Sequence, residues 1–178
     1  MAYSHVALAT RDLAATHRFY TEAMGFDLVH VEAGKTEHPG GWFRHAFYDT
    51  GDGSVLAFME LHDERCDDFD PGISSGLGLP AWVNHLAFDA ADLDALARAC
   101  DRLLEHGVDV MRMEHNHAVS VYALDPNGTQ VEWAYRTRPF TVEERRDALQ
   151  KLDQPNLVHD APTSMEFLRA ADHTTVSQ

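Results

Sequence analysis

The hydrophobic positions of this chain fall into two matching series. Residues 5–9 read His-Val-Ala-Leu-Ala and residues 85–89 read His-Leu-Ala-Phe-Asp. Each alternates with period two, which predicts a half-buried β-strand whose histidine shares a face with Ala7 or Ala87. An acidic residue and a leucine come next in both copies, Asp12-Leu13 and Asp92-Leu93. Positions 13, 16, 20 and 23 then map onto 93, 96, 100 and 103 by one offset of 80, and spacings of three and four put each set on one helix face. Asp12 and Asp92 stand where an N-terminal cap is favoured, and Gly25 and Gly107 where a left-handed helix stop is favoured.

After each helix the pattern returns to short alternating runs, over 26–32, 42–50 and 54–61 in the first half and 109–114, 119–124 and 129–135 in the second. Gly51-Asp52-Gly53 and Asp125-Pro126-Asn127-Gly128 supply turns. Each half therefore reads βαβββ, an α+β class in which the two modules form a curved mixed sheet. The domain plan is a first module over 1–66, a linker rich in Gly, Ser, Asp and Pro over 67–80, a second module over 81–138 and a C-terminal helix and tail over 139–178. Thr141 with Glu144 forms a capping box that opens a helix to about Leu152, and a short helix is expected near 164–169.

Composition narrows the function. With 178 residues and 44% hydrophobic content the chain can bury a core. Its net charge of −15 repels phosphate backbones and anionic lipid, which argues against nucleic-acid and membrane partners. No run approaches a membrane span and the start lacks a signal-like core, so a cytoplasmic location is expected. Cys66 and Cys100 have no metal or redox spacing and read as packing residues.

Four residues sit uneasily on these apolar strands. His5 and His85 lie on the first strand of each half, and Glu60 and Glu132 on the last. A carboxylate there is costly to bury unless it is paired, protonated or bound to a cation. Singly, each histidine reads as a core residue and each glutamate as a solvent-facing one; the duplication is what points to a shared metal. Imidazole with carboxylate suits Fe(II), Mn, Co, Ni or Zn, whereas oxygen-only sets suit Ca or Mg.

These residues resemble the vicinal oxygen chelate superfamily, which includes glyoxalase I, methylmalonyl-CoA epimerase, extradiol ring-cleaving dioxygenases and antibiotic resistance proteins. The resemblance covers about residues 3–138. It implies paired βαβββ modules around a divalent transition metal held by His5, Glu60, His85 and Glu132, with Fe(II) favoured, and a small-molecule substrate; exposed sheet edges point to a homodimer, unless the C-terminal extension covers one. The run from His115 through Tyr122 and Asp125-Pro126-Asn127-Gly128 to Glu132 is similar to the extradiol dioxygenase signature, although Met113 departs from it and no histidine in 67–84 matches that family's additional catalytic histidine. On this reading His5, His85 and Glu132 hold Fe(II), a catechol-like aromatic diol binds it, Tyr122 hydrogen-bonds the substrate and His115 moves protons; His117, His45 and His62 compete for the last role. The alternative is a glyoxalase I-like isomerase or epimerase with two His and two Glu, in which Glu60 or Glu132 is the base. A third reading is a drug-binding resistance protein, with Trp42, Phe43, Phe47 and Tyr48 lining the groove.

Overall fold

In a computed structural model of the chain, residues 3–51, 53–152 and 161–173 are described. The first module contains β1 (Val6–Thr10), α1 (Leu13–Arg18) continued by a π-helical turn (Phe19–Ala23), β2 (Asp27–Lys35), β3 (Trp42–Asp49) and β4 (Val55–His62). The second repeats the order with β5 (His85–Asp89), α2 (Leu93–Glu105), β6 (Val110–Glu114), β7 (Ala118–Leu124) and β8 (Gln130–Arg136). Each module carries its own mixed sheet, ordered β1-β4-β3-β2 and β5-β8-β7-β6, with β1 parallel to β4 and β5 parallel to β8. The first strand of each module is thus a sheet edge.

Local chemistry sets these boundaries. Asp12 and Asp92 accept hydrogen bonds from the amides of Ala15 and Ala95, at 2.8 and 2.6 Å, and so start both helices. Gly25 and Gly107 end the helical segments at φ +78° and +79°, a conformation that costs glycine nothing. On α2, Leu96, Ala99, Cys100, Leu103 and Leu104 are buried at helical spacing. In the first hairpin Gly51 and Gly53 both adopt positive φ and the Thr50 amide bonds the Ser54 carbonyl at 3.0 Å; Asp52 of the expected turn lies outside the described residues.

The modules meet through their helical sides. Phe26 packs against Phe88 and Trp133 with ring centroids 5.0 and 5.9 Å apart, and the Arg102 guanidinium donates to the carbonyls of Ala23 and Met24. A buried polar network crosses the same boundary. Thr10 donates to the Asn127 side-chain oxygen at 2.8 Å, the Asn127 amide group donates to Thr16, and the Tyr20 hydroxyl donates to Asp125 at 3.0 Å. The Asp-Pro-Asn-Gly turn therefore also locks the second module to the first helical segment.

The C-terminal region departs from expectation. Helix α3 (Val142–Leu152) has the anticipated capping box, the Thr141 amide donating to Glu144 at 2.6 Å and the Glu144 amide to the Thr141 hydroxyl at 3.1 Å. Residues expected to form a short helix instead form β9 (Ser164–Leu168), which adds antiparallel to β6 and makes a fifth strand, followed by the single turn α4 (Ala170–His173). The open edge of β6 supplied pairing partners that a five-residue helix lacks. Cys100 packs as expected, but Cys66 is exposed at the end of a 3₁₀ turn (Glu64–Cys66). Residues 67–80 hold a second 3₁₀ turn (Ser75–Leu77), anchored by buried Ser74, whose hydroxyl accepts the Asn84 amide at 2.7 Å. Among the described residues, no helix is long and apolar enough to cross a membrane.

Candidate metal and substrate site

The second sheet gathers most of the candidate chemistry. The β5–β8 register pairs Ala87 with Glu132, and since alternate residues share a face, His85 and Glu132 project from the same side. His85 Nε2 lies 3.1 Å from Glu132 Oε2. On the other side of the ring, His85 Nδ1 faces the Trp82 carbonyl at 3.2 Å; a proton on Nδ1 in that contact would free Nε2 to ligate a metal beside Glu132. Two ligands about 2.1 Å from one ion and at right angles stand about 3 Å apart, so this pair fits a transition metal.

Tyr122 faces Glu132 directly in the β7–β8 register, and its ring lies 6.4 Å from that of His85. Burial, with the Glu132 carboxylate adding to it, pushes the phenol up to about 12, so Tyr122 stays a neutral hydroxyl donor at neutral pH. His115 Nε2 lies 3.4 Å from that hydroxyl, and His117 lies beyond it, between His115 and Phe140. His85, Glu132, Tyr122 and His115 thus form one continuous group.

His5 stands on the equivalent face of the first sheet, exposed, with its ring 6.1 Å from His45 and 5.7 Å from Phe47. His45 is buried; Nδ1 pairs with Glu32 at 3.2 Å, while Nε2 has no hydrogen-bond partner among the described residues. The pairing of Glu32 with His45 across β2 and β3 was not legible in the sequence, because the β-bulge between Leu28 and His30 changes which residues of β2 face inward.

Glu60 does not join this group. Ala7 pairs with Ala57, while Glu60 pairs with Thr10, so Glu60 projects from the face opposite His5. There Arg44 donates to it at 2.8 and 2.6 Å, and the Leu13 amide at the start of α1 lies 3.4 Å away. The residue matched to Glu132 is therefore Ala57, which the sequence could have revealed by counting from the turns: Glu132 is four residues past Gly128, and four past Gly53 is Ala57. His62 goes with Glu60, bonded to it at 3.3 Å and stacked on Trp42, so it does not reach the His5 side. The aromatic set divides likewise: Phe43 and Phe47 share the His5 side, while Trp42 and buried Tyr48 take the other.

Among the described residues, no three His, Cys, Asp or Glu side chains converge as a metal set. His5 lines a cavity of about 770 Å³ between the modules with Ala87, Asp89 and Arg136, but His85 and Glu132 are not part of its lining. A separate groove of about 570 Å³ is floored by Ala7, Ala9, Met59 and Leu61 on the His5 face and walled by Phe69 and Cys66. One chain thus carries two separate groups, a histidine beside an apolar groove on one sheet and a His-Glu-Tyr group on the other.

Comparison with known proteins gives the family and the fold. Residues 2–133 match the family model described as Glyoxalase/Bleomycin resistance protein/Dioxygenase superfamily. Biphenyl-2,3-diol 1,2-dioxygenase of Metapseudomonas furukawaii is 26% identical over 87% of this chain, which spans only 46% of that protein. Lactoylglutathione lyase of Salmonella typhimurium is 26% identical over 74% of this chain and 90% of its own length. The antibiotic binding protein TnmS3 of Streptomyces sp. CB03234 shares the fold at a TM-score of 0.54 and 19% identity, over 77% of this chain and 97% of its own.

Proposed function

Because the chain belongs to the Glyoxalase/Bleomycin resistance protein/Dioxygenase superfamily, we propose that it is a metal-dependent vicinal oxygen chelate enzyme that cleaves the ring of a catechol-like aromatic diol. The observation that carries this reading is Ala57 at the position matched to Glu132, which leaves two histidines and one carboxylate as the ligand set. That set suits Fe(II) with open positions, whereas the isomerase alternative calls for a second glutamate. Glu60, engaged by Arg44 on the opposite face, does not supply it.

His85 and Glu132 of one chain, together with His5 of a second copy, would hold the metal. Two features support a homodimer of this kind. His5 and His85 do not join one metal set within the described residues, and both β1 and β5 are edge strands with exposed residues on the same face, Ala7 and Ala9 (with His5 just before the strand) on one and His85, Ala87 and Asp89 on the other. Edges of this sort are usually covered.

When bound, Fe(II) supplies Lewis acidity toward two adjacent diol oxygens and reactivity toward dioxygen. The residues of the chain do the rest. Tyr122 donates a hydrogen bond to a substrate oxygen, since its raised pKa keeps the phenol protonated. His115, within reach of the Tyr122 hydroxyl, accepts a proton from the diol and returns one to the product. Ala7 and Ala9, with no side chain beyond Cβ, leave room for a flat ring in the groove beside Phe69.

The test is anaerobic reconstitution with Fe(II), then addition of catechols and air. Oxygen uptake with formation of a yellow ring-cleavage product is expected; turnover of a hemithioacetal without oxygen, and of no catechol, would transfer the assignment to the isomerase. Tyr122→Phe, which keeps the ring and removes the donor, is expected to lower kcat by about 100-fold or more with little change in KM. Unchanged kcat in this variant would remove Tyr122 from the chemistry.

A further inference from the structure

The segment beyond residue 133, which the family match does not include, returns to the sheet that carries the metal pair. Its register is informative. Phe167 pairs with Met111, Met111 with Tyr122, Tyr122 with Glu132 and Glu132 with Ala87. These five residues form one row across the sheet, all on the same face. Neighbouring strands lie about 4.8 Å apart, so Phe167 is about 14 Å from Glu132, with Tyr122 and Met111 between them. Along the row the chemistry passes from a metal-binding carboxylate to a phenol, then a thioether, then a phenyl ring. Met113 and Met165 pair in the next row.

A cavity of about 250 Å³ lies over the outer part of this row, lined by Met111, Tyr122, Leu124 and Phe167 together with Gln130 and the Asp109–Arg169 ion pair. Phe167 and Met165 are 67% and 51% exposed, costly positions for large apolar side chains. The strand does not need them for its own attachment. Its opposite face sends Leu168 against the hydrophobic core, and its ends are fixed by the Thr163 amide on the Glu114 carbonyl, the Arg169–Asp109 ion pair at 2.6 Å and the Ala170 amide on Asp109 at 2.9 Å.

We propose that β9 is the specificity wall of the substrate site, with Phe167 and Met111 binding an apolar aryl substituent of a diol whose oxygens lie at His85 and Glu132. This rests on the ring-cleavage reading above. Methionine adapts to a flat ring and phenylalanine stacks against one, so Met111 and Phe167 suit an apolar substituent, while the polar groups of the cavity, Gln130, Asp109 and Arg169, lie at its margin or are already paired with each other, as Arg169 is with Asp109.

The experiment uses the full chain reconstituted with Fe(II), and compares catechol with a phenyl-substituted catechol in wild type, Phe167→Ala and Met165→Ser. Both substituted positions are exposed, so folding should survive. For Phe167→Ala, kcat/KM for the phenyl-substituted diol is expected to fall about 10- to 100-fold, through KM, while catechol changes less than about twofold. Met165→Ser should show a smaller loss in the same sense. Independently of turnover, the methyl signals of Met111 and Met165 in metal-free protein should shift on adding the phenyl-substituted diol, and Phe167→Ala should weaken that binding. If neither diol is cleaved but the methyl signals still report binding that Phe167→Ala weakens, the wall stands and the ring-cleavage reading falls. Equal losses for both diols, or no change in turnover or methyl shifts, would overturn the wall. So would a change confined to oligomeric state, which would make this face a contact between copies.

Discussion

His85→Ala is expected to emerge from reconstitution without metal and without activity. On the proposed reading the imidazole would be one of two ligands from its chain, its Nε2 3.1 Å from Glu132 and its Nδ1 facing the Trp82 carbonyl. Loss of the ligand itself should reduce metal affinity at least about 100-fold, since losing only a supporting hydrogen-bond partner already costs 10- to 100-fold. Glu60→Gln is the contrasting case. It breaks the Arg44 ion pair and weakens the contact at the start of α1, at a cost of about 1 kcal/mol, but should keep stoichiometric metal. Metal content by elemental analysis decides between them: retention in His85→Ala, or loss in Glu60→Gln with a folded chain, contradicts the three-ligand assignment.

The same variant tests whether the site is shared between copies. His5→Ala should lose metal as His85→Ala does. Mixing the two variants and allowing exchange should restore about a quarter of wild-type activity, because half of the dimers are mixed and each of those carries one intact site. A site contained within one chain would restore nothing.

Asp125→Ala should be the most destabilising single change outside the helical core. The carboxylate accepts from the Tyr20 hydroxyl, the Asn127 and Thr129 amides and the Asn127 side chain, at 2.8 to 3.1 Å, all in a buried setting. Truncation strands several donors, each costing about 1–3 kcal/mol, and a total of about 3–5 kcal/mol corresponds to a fall in Tm of about 6–20 °C. Thermal denaturation followed by circular dichroism measures it, and a fall of less than about 2 °C would mean that water satisfies these donors equally well.

The pH dependence of Asp125 has a defined sign. Burial raises its pKa above the ordinary 3.8, so the native state holds the proton more tightly than the unfolded chain. Its contribution to stability is complete below 3.8 and declines as pH rises through the raised value. Asp125→Asn, which cannot ionise, should lose that dependence; urea midpoints for wild type and variant at mildly acidic and neutral pH compare the two.

Much of this architecture is written in local residue chemistry. The duplicated strand, aspartate cap, helix and glycine stop follow from φ/ψ preference, capping and periodicity, which act within a few residues, and so they were legible at 5–25 and 85–107. The neighbourhood of His85, Tyr122 and Glu132 was legible too, since two-residue alternation decides which side chains share a face once the strands pair.

What tertiary structure alone decided was register and partnership. Glu60 and Glu132 look alike in sequence, each a carboxylate on an apolar strand, yet β4 pairs with β1 so that Ala57 occupies the His5 face and Glu60 turns to Arg44 on the other. A shift in register by an odd number of residues exchanges the two faces of a strand, and no local preference records it. Residues 164–168 became a strand because β6 presented an unpaired edge about fifty residues earlier in the chain. Whether His5 meets a metal with His85 is likewise a matter of which sheets face each other, a long-range choice set by packing between helices rather than by the strands that carry the ligands.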